Sequence, residues 1–335
     1  MKLLILTQVV DKNDPILGFF HRWIDEFAKH CERVTVICLR SGAYEFPENV
    51  RVFSLGKEGG ESRFKYIVRF YTYIWQEKNN YDSVFVHMNH VYILLGGIFW
   101  RLMKKKIGLW YVHKSVTPAL KVAVVLANIV FTTSPESFRV NTKKVNYVGH
   151  GIDIEKWGEI EIKKKHGFNV ITAGRISSTK RIAEMIEAVK VLNLRGVRTT
   201  LTIVGASVTK EDEVYEKMIM DGAGPNVRFV GAIPHDQLPE KIAESDVFLN
   251  LSDTGSMDKA VLEAIAAGVP VVSSNAAFRD MLDEYDLFSK SAGVEDVARA
   301  IKNASESDTT DLRKSVIKNH ALDSLIPKIV YKLTV

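Results

Sequence analysis

The sequence predicts an α/β protein built from two doubly wound parallel-sheet domains, and three observations carry that prediction. At 335 residues the chain is long for a single hydrophobic core. Short β-branched runs alternate with helical patterns along nearly all of it. The alternation breaks once, at Gly149-His150-Gly151-Ile152-Asp153, and then restarts.

The first half begins with a buried-strand pattern from Lys2 to Val9 and a polar loop from Asp11 to Gly18. From Phe19 to His30 the residues Phe20, Trp23, Ile24 and Phe27 recur at helical spacing. Val34 to Leu39 and Val50 to Leu55 read as strands, and Gly56 to Ser62 as a loop. Arg63 to Lys78 reads as a helix that is both aromatic and basic. It suits a membrane surface; the competing reading is a helix packed on its own sheet with its cations reaching out to water. Then come a strand from Ser83 to His87, a helix from Val91 to Met103, a strand from Lys106 to Val112, a helix from Thr117 to Asn128 and a strand from Ile129 to Thr132. A helical turn from Pro135 to Asn141 and a strand from Val145 to Val148 complete this half. His87 and His113 fall at strand C-terminal ends, where such sheets bind ligands.

Glu155 to Lys165 is a lysine-rich connector. The second half then offers strands at Asn169 to Ala173, Thr199 to Val204, Val227 to Phe229, Asp246 to Leu251 and Val269 to Ser273. Helices are expected at Lys180 to Arg195, Asp212 to Met220 and His235 to Glu244, and in the alanine-rich stretch before Gly268. The expected domains are residues 1–150 and 151–323, with a last helix in 324–335 returning to pack on the first domain.

Composition is that of an ordinary globular protein, 46% hydrophobic and 25% charged. Two cysteines, Cys31 and Cys38, make neither a disulfide framework nor a metal cluster. The N-terminus enters a strand pattern without the features of a secretory leader, and no run of apolar residues is long enough to span a bilayer. These features predict a cytoplasmic protein. Residues 1–150 carry a net charge of +9 and the remainder −4. A basic front half fits an anionic partner or the inner membrane face. No nucleic-acid motif accompanies the charge, so a nucleic-acid partner is not expected.

The most informative stretch runs from Ser252 to Ser274. A small polar loop opens a helix, Gly268 stops it, and a buried strand follows. Gly255 permits a tight turn, and Ser256 or Asp258 is positioned to cap the helix. A loop and helix N-terminus of this kind suit a diphosphate. Glu263 lies inside the helix among apolar residues, where a carboxylate accepts hydroxyl hydrogen bonds as a ribose offers them; the alternative is a solvated glutamate. Two more strand-end loops, Arg175 to Lys180 and Gly205 to Ser207, should converge on the same place. Arg175 supplies a bidentate phosphate donor and Lys180 a point charge, enough to neutralise a leaving diphosphate without a metal. Asp-x-Asp, a Walker phosphate loop and Gly-x-Gly-x-x-Gly are all absent.

Several motifs in order resemble the family 4 glycosyltransferases of the GT-B fold. They are Ala173-Gly174-Arg175-Ile176 with Lys180, Ile203-Val204-Gly205, Val230-Gly231 followed by Leu238, and Val261 to Val272 around Glu263. Gly151-Ile152-Asp153 resembles that family's domain crossing, and the first half resembles it more loosely through Gly18, His87 and His113. The resemblance implies two Rossmann-like domains facing across a cleft, closing about Gly149–Asp153. It implies a retaining, metal-independent enzyme with no cofactor, which moves sugar from a UDP-, GDP- or ADP-sugar to a hydroxyl. Arg175 and Lys180 match the diphosphate-binding pair, with Gly174 and Gly205 in the phosphate loops. Glu263 matches the ribose-binding glutamate, and the segment around Ile233 and Leu238 matches the region that holds the base. His113 matches a histidine near the donor sugar and acceptor, which makes it with Arg175 and Lys180 the expected catalytic set, and Gly18 matches a loop glycine of the first domain.

One position departs. Where the family commonly has a sugar-contacting glutamate, eight residues before the ribose-binding one, this chain has Gly255. Thr254, Gly255, Ser256, Met257, Asp258 and Lys259 resemble a variant loop, which leaves sugar recognition to Asp253, Asp258 or backbone N–H groups. The acceptor implied is a glycan, a lipid-linked molecule or a small molecule. A nucleotide-sugar epimerase or a non-catalytic nucleotide-sugar-binding subunit would use the same motifs.

Overall fold

The computed structural model describes residues 1–14, 16–158, 160 and 167–335. Most of the connector expected at Glu155 to Lys165 therefore lies outside the described residues, as does Pro15 in the loop after the first strand. The chain divides into two compact units, Met1–Gly151 with His320–Val335 and Ile152–Asn319.

Among its described residues the first unit holds seven strands: β1 (Lys2–Val10), β2 (Arg33–Ser41), β3 (Val50–Ser54), β4 (Ser83–His87), β5 (Lys106–Trp110), β6 (Ile129–Thr132) and β7 (Val145–Tyr147). They form one sheet in the order β3-β2-β1-β4-β5-β6-β7, and every pair is parallel. β1 shows why its sequence reads as an unbroken apolar run. Leu3 and Ile5 enter the core on one face with Phe20, Trp23 and Phe27. Leu4 and Leu6 enter the core on the other face with Phe70, Ile74 and Trp100. Both faces of a parallel strand are buried, so no polar alternation is left. The helix Leu322–Thr334 closes the first of these cores, burying Leu325, Ile326, Ile329 and Leu333. This return starts at His320 rather than at the expected Ser324.

The second unit repeats the plan with β8 (Phe168–Ala173), β9 (Thr199–Val204), β10 (Val227–Gly231), β11 (Val247–Asn250) and β12 (Val271–Ser273). Their order is β10-β9-β8-β11-β12. The connections reverse direction between β8 and β11, so a crevice opens beyond the C-terminal ends of those two strands.

One expected turn is shorter and one expected helix starts later. The turn expected at Pro135 to Asn141 is confined to its beginning, closed by Phe138 N–H to Pro135 O, beside Thr133, Ser134 and Ser137, which bond one another through their hydroxyls. The helix expected from His235 starts at Leu238, which places Pro239 in the first turn, where its missing N–H costs nothing. Among the described residues no helix is long and apolar enough to cross a membrane.

The returning helix generates a direct test. Ile329 is fully buried, so Ile329→Ala should cost the first unit roughly 2–5 kcal/mol. Denaturant titration followed by tryptophan fluorescence reads this; an unchanged midpoint would mean that the helix is not part of that core.

Candidate functional site

The site is built from the loops that leave β8, β9 and β11. Adjacent strand ends are tied by backbone bonds: Gly174 N–H to Val204 O and Gly205 N–H to Gly231 O, each at 2.9 Å, and Ile176 N–H to Ala206 O at 3.0 Å. Gly205 has φ +140°. A Cβ on it would stand 1.8 Å from the carbonyl oxygen of Gly174, so only glycine lets these two loops approach. Asp253 N–H bonds Thr179 O at 2.9 Å, which joins the β11 loop to the β8 loop.

The expected cations stand on these loops, already paired. Arg175 donates through its Nε–Nη2 edge to Asp212, at 2.7 and 2.5 Å. Its side chain is about half exposed, and the remaining N–H donors are left for another acceptor. Asp212 also anchors the capping box that starts the helix Lys210–Asp221. Burial acts to raise its pKa, but Arg175 and Thr209 outweigh it and hold the carboxyl below its ordinary value. Lys180 bonds Asp258 at 3.0 Å and approaches Ser252 Oγ at 3.5 Å. Ala173, Gly174, Arg175, Lys180 and Asn250 share the lining of one small crevice above β8 and β11.

Asp258 takes the N-cap position of the helix Lys259–Ala266 but does not cap it with its side chain. Its carboxylate turns to Lys180 on one oxygen and to Asn250 Nδ2 on the other, at 3.0 and 2.9 Å. Ser256, the other expected cap, is buried, and its carbonyl accepts from Asn275 Nδ2 at 2.8 Å. The first-turn N–H groups of this helix are thus left without a side-chain cap. Gly255 turns at φ +62°, with Thr254 bonded to Ser252 beside it at 3.0 Å. At the far end Gly268, at φ +82°, completes a Schellman stop through Val269 N–H to Ala264 O and Gly268 N–H to Ile265 O. Met257 is buried in the core below the loop.

Glu263 is 2% exposed, so the solvated-glutamate alternative does not hold. Its Oε1 accepts from Lys259 Nζ at 2.9 Å and from His235 Nε2 at 3.1 Å. Burial alone would raise its pKa. Lys259, one turn earlier on the same helix, and His235 more than offset that and hold the carboxyl at about 2. Sequence reasoning missed His235. It follows β10, lies between Ile233 and Leu238, and is placed by Lys156, whose amine bonds the His235 carbonyl at 3.1 Å. No spacing rule joins a histidine to a glutamate 28 positions away; the one available signal was an isolated histidine in a strand-end loop. Ile233 and Leu238 themselves are half-buried against the core of the second unit.

Asp253 and Asp258, expected to stand in for a sugar-contacting carboxylate, are both held in ion pairs. Asp258 pairs with Lys180, and Asp253 with Arg181 at 2.6 Å. Gly18 and His113 belong to the first unit. Gly18 opens the helix Phe19–His30 in ordinary helical geometry, and a Cβ there would meet Asp14 O at 2.5 Å. It is needed for its own turn. His113 is exposed, with its backbone tied to Ser137 O and its Nδ1 accepting from Ser115 N–H. His87 is a core residue, stacked on Phe20 at 4.0 Å, and burial followed by the nearby His150 pushes its pKa down to about 3.

The family model for glycosyl transferases group 1 matches residues 153–322. A glycogen synthase of Mycobacterium tuberculosis is 28% identical over 141 residues, 42% of this chain and 34% of that one. The amylovoran biosynthesis glycosyltransferase AmsK of Erwinia amylovora is 29% identical over 140 residues, 39% of this chain and 34% of that one. The matches span about a third of the length of these curated relatives. Among solved structures, Anabaena HepE in complex with UDP and glucose superposes with a TM-score of 0.75 at 18% identity, covering 100% of this chain and 99% of that one. Sucrose-phosphate synthase from Thermosynechococcus elongatus gives 0.75 at 14%, with the same coverage. At these identities the likeness to the solved structures is one of fold, the two Rossmann-like domains of GT-B proteins.

Two outcomes follow from this geometry. Gly205→Ala should destabilise the second unit by about 3 kcal/mol or more, because the new methyl meets backbone rather than a flexible side chain; thermal denaturation at wild-type stability would contradict the close approach. Glu263 has a folded-state pKa depressed from 4.5 to about 2. Its contribution is therefore present above pH 4.5 and lost as pH falls toward 2. Glu263→Gln should be less stable at neutral pH by about 3 kcal/mol, and the gap to the parent protein should close across that acidic window. A pH-independent gap would mean that the carboxylate is not held ionised.

Proposed function

The chain belongs to the family of glycosyl transferases group 1, and on that premise we propose that it moves a sugar from a nucleoside-diphosphate sugar to an acceptor hydroxyl. In this reading the configuration at the anomeric carbon is retained and no metal takes part. The second unit binds the donor. The carrying observation is the helix Lys259–Ala266: its N-terminus has no side-chain cap, it lies on a loop tied to Lys180, and it carries Glu263 buried and anionic.

Each part has a role. The uncapped N–H groups and the helix dipole receive the diphosphate. Arg175 offers its remaining donors, and Lys180 exchanges part of its hold on Asp258 for a phosphate oxygen. As the bond from the anomeric carbon to the phosphate oxygen breaks, these cations meet the charge that develops on the leaving group. Glu263 accepts from the ribose hydroxyls, and the segment from Ile233 to Leu238 flanks the base. Uridine is the first base to test, since HepE was solved with UDP and with UDP-glucose. With Asp253 and Asp258 committed to cations, the backbone of Thr254 to Met257 is the donor-sugar contact. The acceptor, a glycan, a lipid-linked molecule or a small molecule, belongs to the first unit, where His113 is the candidate contact.

The test is thermal stabilisation by UDP, GDP, ADP and their sugar conjugates, with and without magnesium. Ligand at 100 times its dissociation constant should add about 2.7 kcal/mol, with no need for magnesium, and Arg175→Ala should abolish the shift. Once the donor is known, Arg175→Ala and Lys180→Ala should each lower turnover roughly 100-fold. Unchanged turnover would remove both residues from the mechanism, and conversion of the donor sugar without any acceptor would replace transfer by isomerisation.

A further inference from the structure

The outer helical layer of the first unit is apolar and basic where it meets solvent. The helix Arg63–Gln76 buries only Phe70 and Ile74. Phe64, Ile67, Tyr71 and Trp75 are exposed, and their spacing puts them in one stripe along the helix. The neighbouring helices Val91–Leu102 and Pro118–Leu126 continue the surface with Ile98, Leu102, Val122 and Val125. The three helices touch. Tyr71 bonds the Leu95 carbonyl at 3.0 Å, the Trp75 and Phe99 rings lie 5.7 Å apart, and Gly97 packs under Leu126. Phe64 is 75% exposed, Leu102 80% and Val125 72%. Isolated apolar side chains at a surface are ordinary, but a set spread over three adjacent helices marks an interaction face.

The charge on this layer is mostly positive; Glu61, just before the first helix, pairs with Lys65 at 2.7 Å and Arg69 at 3.1 Å. None of the three helices contains Asp or Glu, while Arg63, Lys65, Arg69, Arg101 and Lys121 lie on them. Arg101 and Lys104-Lys105-Lys106 line a cavity of about 660 Å³ at the end of the helix that carries Leu102, with Asp82 the one acidic side chain among its lining residues. Lys78 lies over the Trp75 ring at 3.6 Å.

We propose that this three-helix layer docks on an anionic phospholipid bilayer. The aromatic and aliphatic stripe enters the headgroup boundary, and the lysines and arginines meet the lipid phosphates. Charge decides between a bilayer and a second copy of the chain. A two-fold interface sets the same patch against itself and would bring Arg63, Arg101 and Lys121 together without a carboxylate on the helices to neutralise them.

Vesicle co-sedimentation of the full chain tests the proposal without any sugar transfer, so its failure is separate from failure of the donor-site reading. The chain should bind phosphatidylcholine vesicles containing about one-third phosphatidylglycerol, bind pure phosphatidylcholine at least roughly tenfold more weakly, and be released by salt. The triple variant Phe64→Ser, Leu102→Ser, Val125→Ser exchanges only exposed side chains and should weaken binding to the anionic vesicles roughly tenfold or more. The variant Lys104→Glu with Lys121→Glu, which keeps the apolar stripe, should do the same. Absence of binding to anionic vesicles at low salt, or binding that both variants retain, overturns the proposal. So does a dimer of the parent chain that the triple variant dissociates, which would assign the face to a second copy.

Discussion

The carboxylate of Asp258 holds the second unit's site in its observed form. It sits where a helix cap belongs, yet it spends its two oxygens on Lys180 and Asn250. That choice ties the loop after β8 to the loop after β11 across the point where the sheet's connections reverse. It also leaves the following helix with its first N–H groups uncapped, an unfavourable state for an isolated helix. The rest of the unit supports that arrangement. Asn250 is itself fixed by Ser273, at 3.2 Å, and the helix is anchored along its length by the buried Val261, Leu262, Ala264, Ile265 and Ala266 and by a Schellman stop. A helix end left open to an anion is tolerable because packing, not capping, holds the helix in place.

The same economy appears at Glu263. Burying a carboxylate is costly unless it is paired and hydrogen-bonded. Here the partners come from two sources: Lys259 from the same helix and His235 from the loop after β10. The group is therefore ionised and oriented before any ligand arrives. A carboxylate already desolvated and bonded needs little reorganisation to accept hydroxyl groups, which is what the proposed ribose contact asks of it.

The two units use the same parallel-sheet plan toward different ends. In the second, the informative residues collect at strand ends, where loops from non-adjacent segments of sequence meet. In the first, the strand-end His87 is stacked in the core, and Gly18, at the start of the helix Phe19–His30, is packed against its own loop. The unusual surface lies instead on the outer helices, whose solvent faces stay apolar and carry cations, most of all on Arg63–Gln76, which buries only Phe70 and Ile74.

Much of this was legible in the sequence. The alternation of strand and helix, the restart after Gly149–Asp153, and the cluster Gly174-Arg175, Lys180 and Glu263 are local patterns, and local patterns follow from backbone period, turn chemistry and residue type. Helix ends were less legible, because the position of Pro239 decided where its helix starts. Three features depended on tertiary structure alone: the pairing of Arg175 with Asp212, the diversion of Asp258 from its helix, and the approach of His235 to Glu263. Each joins residues from separate elements of the second unit, and only the folded sheet sets the distance between them. The sequence by itself determined which groups were present and which elements carried them. The tertiary structure decided which were buried, which were already paired and which remained open to a ligand, because burial and pairing depend on neighbours that arrive from elsewhere in the chain.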